Sequence, residues 1–246
     1  MSTSGPCSVC GKSTQFRCSL CKSRYYCGSA CQRQDWRSGH KEECSRDCEG
    51  SRETHATEIR STSEGEVFGR SFMSSKPPHA QEAMEYIWDA FDCGVDTQGY
   101  IDRRRLAKKA LKIDPNCADA HSTLGWCRMQ LKKLYDEALV LMDRSIEAAY
   151  ATEPGLREAS QKEGVQLPWG IMENRPFLRA VHGKAMVLHK LGQVDPAIGE
   201  CRKILKWNPS DNQGVRVLIY DWLKEKGAHR EAEEFKTSWK NSWGGF

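Results

Sequence analysis

Eight side chains near the start of the chain have the types and spacings of zinc ligands. They are Cys7, Cys10, Cys18, Cys21, Cys27, Cys31, His40 and Cys44. Thiolate sulfur and imidazole nitrogen are preferred ligands of Zn²⁺, and four of them complete a tetrahedral structural site. We therefore predict two structural zinc ions, with no position left open for the water or substrate that a catalytic zinc binds. The spacing alone allows either a sequential or an interleaved pairing of the eight ligands.

The second half of this ligand run carries additional features. Its sequence is RYYCGSACQRQDWRSGHKEEC, in which aromatic residues precede Cys27 and the single histidine is the seventh ligand. This run resembles a MYND zinc finger, whereas RING and PHD fingers usually place their histidine earlier. MYND fingers interleave their ligands. The resemblance implies that one zinc binds Cys7, Cys10, Cys27 and Cys31, and that the other binds Cys18, Cys21, His40 and Cys44.

The resemblance also implies a partner for the finger. MYND fingers of transcriptional corepressors bind proline-rich peptides beside a glutamine and a tryptophan set four residues apart, which is the spacing of Gln32 and Trp36. A polyproline II ligand loses little conformational entropy on binding, and an indole face offers it a flat apolar platform. The alternative is that Trp36 packs against the zinc core, and the sequence leaves both roles open.

Disulfide bonds are the competing interpretation of the cysteines. The N-terminal sequence MSTSGPCSVCGK lacks the apolar stretch of a secretory signal, so we expect an intracellular location in the cytoplasm, the nucleus or both. Thiols stay reduced there and are available to zinc. Five cysteines outside the ligand pattern are expected to be small buried apolar side chains. These are Cys48, Cys93, Cys117, Cys127 and Cys201.

Charge and hydropathy restrict the classes of partner. The chain has 246 residues and a formal net charge of +4. Seven metal-bound thiolates and two zinc ions would remove most of that excess and bring the finger close to neutrality. Because counterion-release binding to nucleic acid depends on basic charge, no nucleic-acid partner is expected. No apolar run approaches the roughly 20 residues that span a bilayer, so no membrane partner is expected.

The composition divides the chain into a finger at 1–45, a linker at 46–79 and a helical domain at 80–240. The linker is polar and ends in two prolines, which predicts a flexible tether. Its only sizeable apolar cluster suggests a short docking turn and comprises Val67, Phe68, Phe72 and Met73. The helical domain contains an insertion at 151–175. We predict that Ala151–Glu163 is dispensable for folding, whereas Trp169 packs against the array.

The helical domain repeats. Ala197 and Ala232 are 35 residues apart in matching helices, and Ala138 precedes Ala197 by 34 residues once the insertion is set aside. Pro115 and Pro209 close second helices in the same phase. A period near 34 with a helix-turn-helix unit is the signature of the tetratricopeptide (TPR) repeat. The predicted fold is mainly α, a small two-zinc finger followed by a TPR-like solenoid of about four helix pairs.

One helix of the array carries a candidate binding stripe. In a TPR solenoid the first helix of each pair lines a concave groove. Arg179, His182, Met186 and His189 share one face of such a helix, which predicts a strip for a peptide bearing an acidic group or carboxylate. A solvated mixed face is an equally open alternative. The surrounding segment, Pro168–Gly227, also resembles TPR proteins of the suppressor-of-tumorigenicity-seven group, which supports the fold more than a function.

The sequence therefore indicates a non-enzymatic adaptor, whose finger and TPR groove each bind a peptide segment of a partner protein. A transcriptional or chromatin regulator is an alternative that differs in its partner. A protein-lysine methyltransferase is the enzymatic alternative, because many MYND fingers are embedded in SET domains. Those enzymes place SET sequence on both sides of the finger, whereas here six residues precede Cys7 and no Asn-His-Ser run follows.

Overall fold

The computed structural model describes residues 4–18, 23–40, 43–44, 58–62, 65–69 and 76–243. The chain divides into two compact units, Met1–His55 and Ala56–Phe246. The described helices include none with the combination of length and apolar character that crossing a bilayer requires. Each unit is described by itself below.

The first unit has little regular structure. Strands β1 (Gly5–Pro6) and β2 (Ser13–Thr14) pair antiparallel, and helix α1 (Ser29–Asp35) continues into a π-helical turn at Trp36–His40. Gly39 has a φ of 124° inside that turn, a conformation that favours glycine because it has no Cβ. This kink precedes His40, whose ring is buried. The core of so small a unit consists largely of its zinc-ligand side chains.

The second unit contains four helix pairs among its described residues, as the repeat period predicted. They are α2 (Pro78–Asp92) with α3 (Thr97–Ile113), α4 (Ala118–Lys132) with α5 (Tyr135–Thr152), α7 (Arg175–Lys190) with α8 (Val194–Trp207), and α9 (Val215–Glu225) with α10 (His229–Trp243). The repeated alanines Ala138, Ala197 and Ala232 are all fully buried. Small side chains at this phase let the paired helices approach closely.

Helices α4, α5 and α7 converge on one methionine. A Cβ added at Gly125 of α4 would lie 2.8 Å from the Met142 Cε, and one added at Gly183 of α7 would lie 2.5 Å from the Met142 Sδ. Both distances are shorter than van der Waals contact allows. The two glycines therefore make room for Met142 between the second and third pairs, which explains why small residues recur in these first helices.

The insertion after α5 is folded, which argues against the prediction that its first half is dispensable for folding. It forms α6 (Leu156–Gln161), strand β5 (Val165–Gln166) and a 3-10 turn at Met172–Asn174. Leu156 and Ala159 are 0% exposed and belong to the same core cluster as α7 to α9. Leu156 and Ala159 are three residues apart, and the charged residues between them made the segment appear polar in the sequence. Trp169 packs against this cluster, as predicted.

The described part of the predicted linker also belongs to the second unit. Strands β3 (Glu58–Thr62) and β4 (Gly65–Gly69) form an antiparallel hairpin, and β4 pairs in parallel with β5. Phe68 is 1% exposed within the array core. The prediction of a tether over all of 46–79 is wrong for this hairpin, because burial of Phe68 and pairing of β4 with both β3 and β5 together favour its ordered form. Phe72 and Met73 lie outside the described residues.

Candidate metal centre and binding faces

Four cysteine sulfurs of the first unit converge with the geometry of a metal site. The Sγ atoms of Cys7, Cys10, Cys27 and Cys31 lie within 4.8 Å of one another. The Cys10–Cys27, Cys27–Cys31 and Cys10–Cys31 pairs are 3.3, 3.6 and 3.9 Å apart. Thiolates arranged tetrahedrally at about 2.3 Å from a zinc ion lie about 3.8 Å apart. A disulfide requires about 2.05 Å, so these residues fit a four-thiolate zinc site.

Local backbone structure positions these four sulfurs. A turn links the Cys7 carbonyl oxygen to the Gly11 amide, which donates at 2.9 Å and places Cys10 on the same side as Cys7. The Ser8 amide donates to the Tyr25 carbonyl oxygen at 2.8 Å, which brings the segment before Cys27 alongside. Cys31 follows one helical turn later, on α1. The site therefore joins two sequence segments that are separated by other ligands.

The second cluster is formed by Cys18, His40 and Cys44, all of them buried. The Cys18 and Cys44 sulfurs are 3.8 Å apart, again the separation of two ligands on one zinc. The fourth predicted ligand, Cys21, lies outside the described residues. The two clusters have the interleaved composition that the family resemblance implied, and a sequential pairing would have grouped Cys18 with Cys7 and Cys10.

A carboxylate ties α1 to the preceding segment. The Arg24 guanidinium donates to both oxygens of Asp35, at 2.8 and 2.9 Å, and the Tyr26 hydroxyl donates to Asp35 Oδ2 at 2.7 Å. Burial, together with this hydrogen bond to a carboxylate, raises the pKa of Tyr26 above its usual value. Asp35 thereby fixes the end of α1, next to Trp36. The sequence alone indicated no role for Asp35.

Comparison with protein families agrees with this geometry. Residues 7–44 match the family model described as the MYND finger. This stretch is a MYND finger. A 79-residue stretch is 43% identical to ubiquitin carboxyl-terminal hydrolase 19 of Arabidopsis thaliana, covering 31% of this chain and 11% of the relative. A 38-residue stretch is 53% identical to Tudor domain-containing protein 1 of Mus musculus, covering 15% of this chain and 3% of that relative. The chain therefore spans a small part of these relatives' length.

Solved structures with repeated helix pairs resemble the chain only weakly. The TPR protein YrrB, described as having an unusual peptide-binding site, aligns with a TM-score of 0.42 at 17% identity over 67% of this chain and 74% of that one. An O-GlcNAc transferase mutant from Thermobaculum terrenum aligns with a TM-score of 0.46 at 17% identity. This alignment covers 70% of this chain and 28% of the transferase chain. Scores this low support no conclusion about ligands. The resemblance to the suppressor-of-tumorigenicity-seven group stays a prediction.

Gln32 and Trp36 of the MYND finger are both half-buried. The Trp36 ring stands edge-on to the ring of the zinc-ligand candidate His40, with ring centroids 5.8 Å apart. It also packs against the cluster of Cys18, Tyr26 and Cys44. Part of the indole thus supports the zinc core, while the remainder reaches solvent. The two roles left open by the sequence are compatible in this arrangement.

The side chains of the predicted stripe on α7 contact residues of neighbouring segments. Arg179 donates from Nε and Nη2 to the two oxygens of Asp119, at 2.8 and 2.6 Å. The Nε2 of His189 lies 2.8 Å from Glu225, and its ring stacks on Trp222. Met186 packs against the array core. Burial lowers the pKa of His182 below its usual value, and Gln213 approaches its Nδ1 at 3.4 Å.

Two aromatic side chains of α2 are more exposed than their helical spacing predicted. Phe91 is 43% and Trp88 is 36% exposed, although their spacing with the buried Ile87 on α2 is typical of core positions. The Arg179 guanidinium carbon lies 5.2 Å from the Phe91 ring centroid and 5.7 Å from the Trp169 centroid. An arginine between two aromatic faces is a favourable cation–π arrangement. Sequence analysis missed this cluster because its members are distant along the chain.

The ion pair between the buried Asp119 and Arg179 of α7 leads to a prediction about stability. Its side chain is 0% exposed and Arg179 is its ion-pair partner. Arg179→Ala should destabilise the second unit by roughly 3–5 kcal/mol, because it leaves a buried carboxylate without its cation. Lys184→Ala on the same helix removes the pair with the exposed Asp143 and should cost under about 1 kcal/mol. Urea denaturation followed by circular dichroism measures both, and equal costs would contradict the assignment.

The cysteines outside the MYND finger have the properties of buried apolar residues. Burial raises the pKa of Cys117 to about 12, of Cys127 to about 11 and of Cys201 to about 12. Burial likewise raises the pKa of Cys93. A thiol that stays protonated is a poor nucleophile. Cys117, Cys127 and Cys201 are buried as predicted, whereas Cys93 is half-buried. Cys48 lies outside the described residues.

Proposed function

We propose that the protein is a non-enzymatic adaptor that binds one partner through its MYND finger and another through its helical array. The observation that supports it most directly is the match of residues 7–44 to the MYND finger on a chain whose second unit is a repeat array. The sulfurs of Cys7, Cys10, Cys27 and Cys31 form a complete set of four ligands, which is the arrangement of a structural zinc site rather than a catalytic one. Cys21 is the proposed fourth ligand beside Cys18, His40 and Cys44. Two zinc ions are the proposed cofactors.

The proposed ligand of the finger is an extended, proline-rich peptide bound by Gln32 and Trp36. Both lie on α1 or directly after it, one helical turn apart and on the same side. The contact with His40 holds the indole in one orientation, so little side-chain entropy is lost when a peptide covers its exposed part. The Gln32 side-chain amide supplies a donor and an acceptor for the peptide backbone.

We expect Trp36→Ala to abolish binding of a proline-rich peptide while the variant keeps both zinc ions. The reason is that Trp36 is not a ligand, and the ligand clusters keep all their own atoms when it is truncated. Gln32→Ala is the matched variant and should weaken binding without any effect on zinc content. Titration of the peptide into labelled protein, followed by NMR shifts, measures binding. Loss of zinc together with binding would assign Trp36 to the core alone.

The array is proposed to bind a second peptide along α7 and the exposed aromatic residues of α2. Arg179 uses Nε and Nη2 for Asp119, which leaves the Nη1 donors for a carboxylate of the ligand. An apolar ligand side chain would cover Phe91 and Trp88 beside it. In this proposal His182, Met186 and His189 continue the contact surface along α7. Pulldowns by full-length Trp36→Ala and Phe91→Ala variants distinguish partners of the finger from partners of the array.

A transcriptional or chromatin regulator is the second candidate, and it differs from the adaptor only in the identity of its partner. The methyltransferase-related alternative is less supported. The described residues after the finger form helix pairs with one small three-stranded sheet, whereas a SET domain is rich in strands. An assay of methyl transfer to histone and non-histone substrates tests this alternative, and activity above background would overturn the non-enzymatic proposal.

A further inference from the structure

A cleft between α3, α4 and α5 combines an apolar floor with a basic rim. Its floor is formed by Leu124 and Leu131 of α4 and Leu141 of α5. Its rim includes Arg104 and Lys108 of α3 and Lys132 of α4. The cleft has a volume of about 90 Å³, enough space for several water molecules and hence for one branched side chain. No residue of the α7 stripe lines it.

The rim carries more positive charge than its surroundings neutralise. Helix α3 has the sequence TQGYIDRRRLAKKALKI, with six basic residues and one acidic residue, Asp102. Asp102 pairs with Arg105 at 3.0 Å, and Arg103 donates to the Cys93 carbonyl oxygen at 2.7 Å. Arg128, at the same cleft, pairs with Glu137 at 3.2 Å. The structure's described residues supply no such ion pair for Arg104, Lys108 or Lys132.

We propose that this cleft docks an acidic segment of a partner protein that carries one large aliphatic side chain. The aliphatic side chain covers the three leucines, and carboxylates on either side of it pair with Arg104, Lys108 and Lys132. Clustered cations repel one another and strengthen the local potential, so an acidic ligand gains from all three. Burial of the leucine floor supplies the part of the affinity that salt does not screen.

The shape and chemistry of the cleft favour this ligand over a simple polyanion. A nucleic-acid backbone would neutralise the rim but leave the leucine floor exposed to water. Ile101 lies three residues before Arg104 on the same helix face and is 46% exposed, which extends the apolar surface beside the rim. An acidic peptide with an aliphatic anchor satisfies both components at once. This proposal does not depend on the sites assigned to the MYND finger or to α7.

Fluorescence anisotropy with the full-length, zinc-loaded protein tests the proposal. The probe is a labelled peptide in which one leucine stands between two runs of three glutamates. A second probe replaces the leucine with alanine. We expect the alanine probe to bind roughly tenfold more weakly, because it loses the free energy of burying a leucine side chain. Equal binding of the two probes would overturn the proposal, because the floor would then contribute nothing.

A pair of charge-reversal variants localises the site. R104E/K108E should weaken binding of the leucine probe roughly tenfold or more, because two favourable ion pairs become repulsive. K190E/K206E changes the net charge equally at two exposed lysines outside the cleft and should bind the probe like the wild type. Circular dichroism checks that both variants stay folded, and a Trp36→Ala variant should bind this probe normally.

Three outcomes would overturn the docking proposal. The first is that the wild-type protein shows no binding of the leucine probe at low salt. The second is equal weakening by the two charge-reversal pairs, which would indicate nonspecific attraction. The third is that a single-stranded oligonucleotide displaces both probes at the same concentration. This result would show that the rim binds polyanions in general.

Discussion

Cys7→Ser and Cys27→Ser are each expected to cost the protein the same zinc ion, although the two positions are twenty residues apart in the sequence. Both sulfurs belong to the four-thiolate cluster, and a structural site with three ligands binds zinc far more weakly. Structural zinc supplies roughly 10–16 kcal/mol of coupled folding free energy, so this is among the largest effects available in a unit of this size. Metal analysis of the purified variants measures the zinc content per chain.

Double variants separate the interleaved from the sequential pairing. Cys7→Ser with Cys27→Ser should lose no more zinc than either single variant, whereas Cys7→Ser with Cys18→Ser should lose both ions. Cys93→Ser is the control, because Cys93 is a half-buried cysteine outside either cluster and should leave two zinc ions bound. If the Cys7 and Cys27 variants lose different ions, the assignment of the clusters is wrong.

Phe68→Ala is expected to destabilise the second unit by roughly 3–5 kcal/mol. Phe68 is 1% exposed and packs in the core cluster that also contains residues of α6 to α10. Its carbonyl oxygen accepts a hydrogen bond from Asn174 Nδ2 at 3.1 Å, which joins the hairpin to the turn before α7. Because a folded domain is stable by only about 5–15 kcal/mol, this loss should lower the urea midpoint clearly.

A neighbouring variant in the same hairpin provides the matched control. Glu66→Ala removes an ion pair with Lys162, whose atoms are 2.9 Å apart and solvent-exposed. It should cost under about 1 kcal/mol, because exposed ion pairs contribute little. Both variants are followed by the helical circular dichroism signal of the array. An unchanged midpoint in Phe68→Ala would show that the hairpin does not hold its place on the core in solution.

The MYND finger and the number of helix pairs could be predicted from the sequence because their signals are local. Cysteine and histidine bind zinc through their own side-chain chemistry, and the spacing of these ligands can be read directly from a single sequence. The repeat period appears as buried alanines at Ala138, Ala197 and Ala232, since each pair of helices uses the same close approach. The grouping of ligands into two clusters required more than spacing, and it came from the resemblance to known fingers.

The tertiary structure decided the features that depend on contacts between distant segments. Phe68 reaches its core partner Asn174 across 106 residues, and Arg179 reaches Asp119 across 60. A polar composition predicted a linker and a dispensable loop, because single apolar residues such as Phe68 and Leu156 carry little weight in a local average. The cleft on α3, α4 and α5 has the same origin, since its leucine floor and its basic rim are assembled from three helices.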